Sequence, residues 1–252
     1  MRVTVTGSGT SSGVPLPACR CAVCTSDNPR NRRLRPGLLI ELEKGTIAVD
    51  TSPDFREQML RHQVTRLDAV LYTHAHADHI FGFDDLRAFN FVTGRSIPCY
   101  GSEETLQRIR KTFDYAFEGP NEGGGIPQVF LHPVEGPFEL LGVTTVPIPV
   151  WHGSMLVFGY RLGAFALVTD VKAIPESSWT LLDGVEVLIL SALRYRPHPT
   201  HFNFEEAIAA AKRIGARQTY LTHLAHDVDH GRLEVKLPPG VEVAYDGLCL
   251  EL

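Results

Sequence analysis

Short apolar runs, some alternating and some continuous, recur between Gly, Pro, Asn and Asp clusters. They predict strands at Val3–Thr6, Leu38–Leu42, Thr46–Val49, Ala69–Tyr72, Val143–Ile148, Leu156–Arg161, Phe165–Val168, Val187–Leu190, Thr219–Leu221 and Val241–Ala244. Helical spacing is clearest over Pro53–His62, Glu103–Phe113 and Phe204–Ile214, the last behind an Asn203 cap with Glu206 three residues on. Strands dominate early and late with helices interspersed, which predicts an α/β arrangement of layered sheets covered by helices. No repeat, low-complexity tract or long linker divides the chain, so residues 1–252 are expected to form a single domain.

Two loops interrupt the pattern. Pro29–Pro36 (PRNRRLRP) concentrates arginines, and reads either as a solvated turn or as a contact for an anionic substrate. Gly119–Pro127 (GPNEGGGIP) is too rich in Gly and Pro for regular structure and reads as a lid or a simple connector. Whether Arg30–Arg35 or Gly123–Gly125 touch substrate stays open at this level.

With 44% apolar and 21% charged residues in 252, the chain is globular rather than disordered. A net charge of -5 argues against a broad nucleic-acid-binding surface. No apolar run approaches the roughly 18 residues of a membrane span, and MRVTVTGSG lacks the succession of a secretory signal, so a cytoplasmic protein is expected. The five cysteines are an odd number, and Cys19, Cys21 and Cys24 cluster as a metal clip would rather than a disulfide framework. Cys99 and Cys249 read as small buried apolar side chains.

The chemistry concentrates in THAHADHI, where His74, His76, Asp78 and His79 follow a strand. Such a hexapeptide arises by chance on the order of once per thousand sequences of this composition. Four ligand-type side chains on one short loop need partners, because burying them unpaired would cost several kcal/mol. Imidazole and carboxylate without sulfur suit zinc, manganese or iron. Once the loop turns into a helix the side chains diverge, so two neighbouring ions are implied. His152 in VWHGS, Asp170 in LVTDV and His223 in YLTHLAH, each at a strand end, are candidates for the remaining ligands.

THAHADH followed in order by His152, Asp170 and His223 resembles the metallo-β-lactamase superfamily. That resemblance implies an αββα sandwich with a dinuclear site at one sheet edge. It implies that His74, His76 and His152 hold one ion, that Asp78, His79 and His223 hold the other, that Asp170 bridges them, and that Asp50 supports the ligands from behind. A narrower likeness is carried by GSGTSSGVPLPACRCAVC, the arginine stretch, HGSMLVFGYRL, HPTHFNFEEA and LTHLAHD. These segments resemble the PhnP-type phosphoribosyl 1,2-cyclic phosphate phosphodiesterases. That group implies a structural zinc on Cys19, Cys21, Cys24 and His226, which agrees with the need of three thiolates for a fourth donor. It also implies an active-site histidine at His201 that protonates the leaving oxygen or binds phosphate.

The expected function is therefore a metal-dependent phosphodiesterase. A hydroxide bridging two divalent ions, Mn2+ or Zn2+, would attack a small cyclic phosphodiester, with Asp78, Asp170 and His201 as catalytic residues. Ribose 1,2-cyclic phosphate or a nucleoside 2′,3′-cyclic phosphate is the expected substrate, with nucleic acid and membrane disfavoured as partners; the resemblance implies a homodimer. An RNase Z-like nuclease or another hydrolase of this fold is the alternative. A PqqB-like or binding protein would have a degraded ligand motif, and this one is intact. His62, His132, His198 and His230 remain unassigned.

Overall fold

The computed structural model describes residues 1–118 and 125–252. The lid-or-connector question for the glycine loop falls, for residues 119–124, outside the described residues. Among the described residues, the strands form two seven-stranded sheets packed face to face. The first runs, in spatial order, β14 (Cys249–Glu251), β1 (Arg2–Gly7), β2 (Gly37–Leu42), β3 (Gly45–Val49), β4 (Ala69–Leu71), β5 (Ile97–Gly101) and β6 (Val129–Pro133). The second runs β13 (Val241–Val243), β12 (Gln218–Thr222), β11 (Val187–Ser191), β10 (Phe165–Val168), β9 (Met155–Leu162), β8 (Val143–His152) and β7 (Phe138–Leu140).

Val3, Val5, Ile40, Ile47, Val49 and Leu71 from the first sheet bury themselves against Tyr160, Leu162, Phe165, Leu167 and Ile189 of the second. Each outer face is covered by helices. Phe55 and Met59 of α1 (Phe55–Arg61), Leu86 and Phe89 of α3 (Leu86–Thr93), and Leu106 and Ile109 of α4 (Glu103–Thr112) cover the first sheet. Phe204, Ala207 and Ala211 of α6 (Phe204–Ile214) and Leu233 of α7 (His230–Glu234) cover the second. Two short helices, α2 (Ala77–Ile80) and α5 (Glu176–Trp179), complete the set. The layers are helix, sheet, sheet, helix, as the sequence implied. No helix among the described residues is long and apolar enough to cross a membrane.

All ten predicted strands are present, with ends shifted by a residue or two in most cases. The largest difference is β8. The pattern predicts an end at Ile148, yet the strand continues to His152. Pro147 and Pro149 are tolerated because β7 pairs only with Val143–Thr145, leaving that edge of β8 open where they fall. The extension delivers His152 to the site. Cys99 is fully buried in β5, but Cys249 is exposed, contrary to expectation: β14 lies at the sheet edge, where Cys249 accepts a hydrogen bond from Arg2 Nε at 3.1 Å.

In each sheet the parallel strands end on the same edge, the edge at which open α/β sheets place their ligand sites. The two sheets are tied together there, since Phe158 N donates to Thr73 O at 3.0 Å and Tyr160 Oη to Tyr72 O at 2.8 Å. At α6 the expected cap is a full capping box, with Asn203 Oδ1 accepting from Glu206 N and Glu206 Oε2 from Asn203 N. It fixes the start of the helix just behind His201, while Phe202 N donates to Val171 O at 2.7 Å and holds that loop against the end of β10.

Candidate metal centre

Five strand ends converge on one edge. Asp50 follows β3, THAHADH follows β4, His152 closes β8, Asp170 follows β10 and His223 follows β12. Asp50, Asp170 and His223 all adopt left-handed backbone, with φ of 63°, 51° and 63°. Non-glycine residues rarely do so, and such conformations cluster at functional sites because the surrounding fold has to impose them.

Asp50, only 3% exposed, organises the loop after β4. It accepts from Thr73 N and Thr73 Oγ1, both at 2.8 Å, and from His79 Nδ1 at 2.7 Å. Because the Thr73 hydroxyl donates to Asp50, it accepts from His74 Nδ1 at 3.0 Å. His152 Nδ1 donates to Thr200 O at 2.7 Å. These bonds fix the tautomers so that His74, His79 and His152 each turn Nε2 away from its supporting oxygen.

The ligand-type atoms gather in two groups joined through Asp170. Those of His74, His76 and His152 lie within 4.8 Å of one another, as do those of Asp78, His79 and His223. Asp170 sits between: Oδ2 is 3.2 Å from His79 Nε2, Oδ1 is 3.2 Å from His223 Nε2, and a third group joins it to His74 and His79. His201 flanks the cluster, with Nδ1 3.4 Å from Asp170 Oδ1 and its ring 4.5 Å from that of His152.

Electrostatics show what the cluster demands. Burial lowers the His79 imidazolium, yet Asp50, Asp170 and Asp78 outweigh it and raise the group well above the usual histidine range. Burial likewise lowers His223, and Asp170 with Asp78 raises it on balance. Burial lifts the Asp170 carboxyl, but His223 and His79 hold it well below the carboxylate range. Burial of His74, reinforced by His79, pushes it well down. Among the described residues, His79 Nε2 and both His223 nitrogens are buried without a hydrogen-bond partner, at a cost of roughly 1–3 kcal/mol each. Divalent cations would satisfy the carboxylates and the Nε2 lone pairs of His79 and His223 together, so the residues fit the metals that the fold implies. Burial pushes His201 down to about 3 against the pull of Asp170, which leaves its ring neutral at pH 7 with one N–H to offer.

The cysteines assemble separately. Cys19, Cys21 and Cys24 place Sγ at 3.4, 3.6 and 3.8 Å from His226 Nδ1. A tetrahedron with zinc bonds of about 2.0–2.3 Å has edges of about 3.6 Å, so these four donors have the spacing of a closed structural zinc site. The backbone N–H of Cys24, then His226, lowers the Cys21 thiol to about 6, whereas burial pushes Cys24 up to about 11.

The arginine loop is solvated on one side and anchored on the other. Arg33 is buried against main-chain oxygens and Arg35 pairs with Asp54 at 2.9 Å, whereas Arg30, 4.4 Å over the Tyr245 ring, and Arg32 are exposed. Of the unassigned histidines, His198 reaches the site's edge, its ring 5.1 Å from that of His201. His132 stacks on Tyr100 instead. Thr73 and Thr200 orient ligands without having been singled out. Position immediately before a ligand motif was the available signal for Thr73; nothing in the sequence marks the carbonyl of Thr200.

Residues 46–224 match the family model for a beta-lactamase superfamily domain. The crystal structure of a diphosphatase from the PhnP family superposes with a TM-score of 0.93 at 42% identity, over 100% of this chain and 97% of that one. Zinc-bound PqqB from Methylobacterium extorquens shares the fold, with a TM-score of 0.79 at 18% identity over the full length of both. An octanoyltransferase of Porphyromonas gingivalis is 39% identical over 98% of this chain and 51% of its own length. The chain spans about half the length of the first curated relatives it matches. Sequence, architecture and the match over residues 46–224 agree: this chain belongs to the beta-lactamase superfamily and, within it, to the PhnP family.

Proposed function

We propose that the chain is a metal-dependent hydrolase of small phosphodiesters, with a ribose 1,2-cyclic phosphate or a nucleoside 2′,3′-cyclic phosphate as substrate. The observation that carries this reading is the convergence of seven ligand-type side chains on one sheet edge with His201 beside them. The likeness to a PhnP-family diphosphatase supports phosphorus as the centre attacked. In this reading His74, His76 and His152 hold one divalent cation, Asp78, His79 and His223 the other, and Asp170 is shared. Manganese and zinc both suit the donors. When bound, the cations supply Lewis acidity and acidify water.

The chain's own groups do the rest. Asp50, Thr73 and the Thr200 carbonyl keep the imidazoles aimed and so preorganise the site. Asp170 keeps both of its oxygens toward the centre. His201 donates its N–H to the leaving oxygen or to a phosphoryl oxygen. Replacing it with alanine is expected to lower kcat by about 10²–10⁴ at unchanged metal content. Unchanged turnover would remove His201 from the reaction.

Comparing kcat/KM for ribose 1,2-cyclic phosphate, nucleoside 2′,3′-cyclic phosphates, linear diesters, diphosphates and precursor transfer RNA tests the substrate class. Cyclic ribose phosphates should lead. Precursor transfer RNA in first place would make this an RNase Z-like nuclease, and diphosphates in first place would align it with its PhnP-family relative.

The cysteine cluster is proposed to hold a structural zinc on Cys19, Cys21, Cys24 and His226. Cys21→Ser should release one tightly held zinc and lower Tm by several degrees before kcat changes. Full zinc content in that variant, by elemental analysis, would contradict the assignment.

A further inference from the structure

The histidines of the site are not held alike. His74, His79 and His152 each commit Nδ1 to an oxygen, of Thr73, Asp50 and Thr200 respectively. His223 has no such anchor: its Nε2 faces the Asp170 carboxylate at 3.2 Å, and among the described residues its buried Nδ1 has no hydrogen-bond partner. A ligating imidazole ordinarily has its second nitrogen bonded, which fixes its orientation. Here the backbone must do so.

His223 sits at φ 63°, a conformation costing about 1–3 kcal/mol unless its surroundings impose it. The residues after it are clamped. Leu224 N donates to Ser8 O at 3.0 Å, and Leu224 O accepts from Thr10 N at 3.2 Å. Ala225 N donates to Leu193 O at 2.9 Å. Arg33 closes the clamp: Nη1 donates to Ala225 O at 3.3 Å and Nη2 to Val228 O at 2.9 Å. Between those carbonyls, His226 turns its ring to the three thiols.

Arg33 is 2% exposed, and its remaining bond goes to the amide oxygen of Asn31 at 3.3 Å rather than to a carboxylate. Burying a guanidinium to hold main-chain oxygens is expensive. The segment it holds is the one that carries His223.

We infer that Arg33 and the cysteine clip together position His223, and so set the affinity of the cation assigned to Asp78, His79 and His223, leaving the one assigned to His74, His76 and His152 unaffected. This rests on the two-cation reading above. The test is titration of the full-length protein, clip zinc retained and catalytic metal removed, with Mn2+, followed by calorimetry and electron paramagnetic resonance. The wild type should bind in two steps. Arg33→Met should weaken the second step by roughly 10–100-fold, with the first step and clip zinc unchanged. Arg33→Lys, able to reach one carbonyl at a time, should fall between.

An unaltered second step in the Arg33 variants overturns the inference. Equal weakening of both steps overturns it too, because that is general loosening rather than positioning. Should Arg33→Met fail to fold, the lysine variant decides by the same criteria. A wild type with a single step removes the two-cation reading, and this inference with it, whatever Arg33 does.

Discussion

Asp170→Asn is expected to lower kcat for bis(p-nitrophenyl) phosphate by about a thousandfold or more. The amide keeps the shape of the side chain and removes its charge. In the wild type that charge faces three rings, with Oδ2 3.2 Å from His79, and Oδ1 3.2 Å from His223 and 3.4 Å from His201. Losing one preorganised donor of a hydrolytic site already costs about 10²–10³. A carboxylate shared by two proposed cations fixes their spacing as well as their charge, so its loss should cost more. Steady-state assays at measured metal content check this. An asparagine variant with wild-type turnover at full loading would sink the proposal that Asp170 lies between two ions.

The second large effect is on stability. Asp50→Ala should destabilise the protein by about 3–5 kcal/mol in urea denaturation with chelator present. The substitution abandons His79 Nδ1, Thr73 N and Thr73 Oγ1 in a buried place and puts alanine where the backbone is left-handed. Asp50→Asn should cost less, since asparagine tolerates that conformation and keeps an acceptor. A change under about 1 kcal/mol for the alanine variant would mean that Asp50 does not organise the loop.

Much of this site was legible because its chemistry lies in a compact motif and at strand ends. THAHADH offered ligand-type side chains by residue type alone, and TIAVD, VWHGS, LVTDV and YLTHL each put another where an apolar run stops. The α6 cap was equally plain. What stayed hidden depends on partners distant in sequence. The strand through Pro147 and Pro149 runs on to His152 because the short β7 leaves their edge open. Ile97–Gly101, with Pro98 inside, forms a strand because it is paired between β4 and β6. Leu86–Thr93 is rich in aromatic and β-branched residues and holds as a helix by burying Leu86 and Phe89. Arg33 looked like one more surface charge in a basic stretch, since burial of a guanidinium leaves no trace in the local sequence.

The clamp around His223 also bears on biosynthesis. Its halves come from the amino-terminal loops and from the segment that follows β12. A ribosome must therefore pass the segment after β12 before the hydrolytic centre can close. Nascent fragments that already display the first histidine motif still lack the partner that completes it. Such distant pairing slows folding, and it leaves the centre unformed in every shorter fragment.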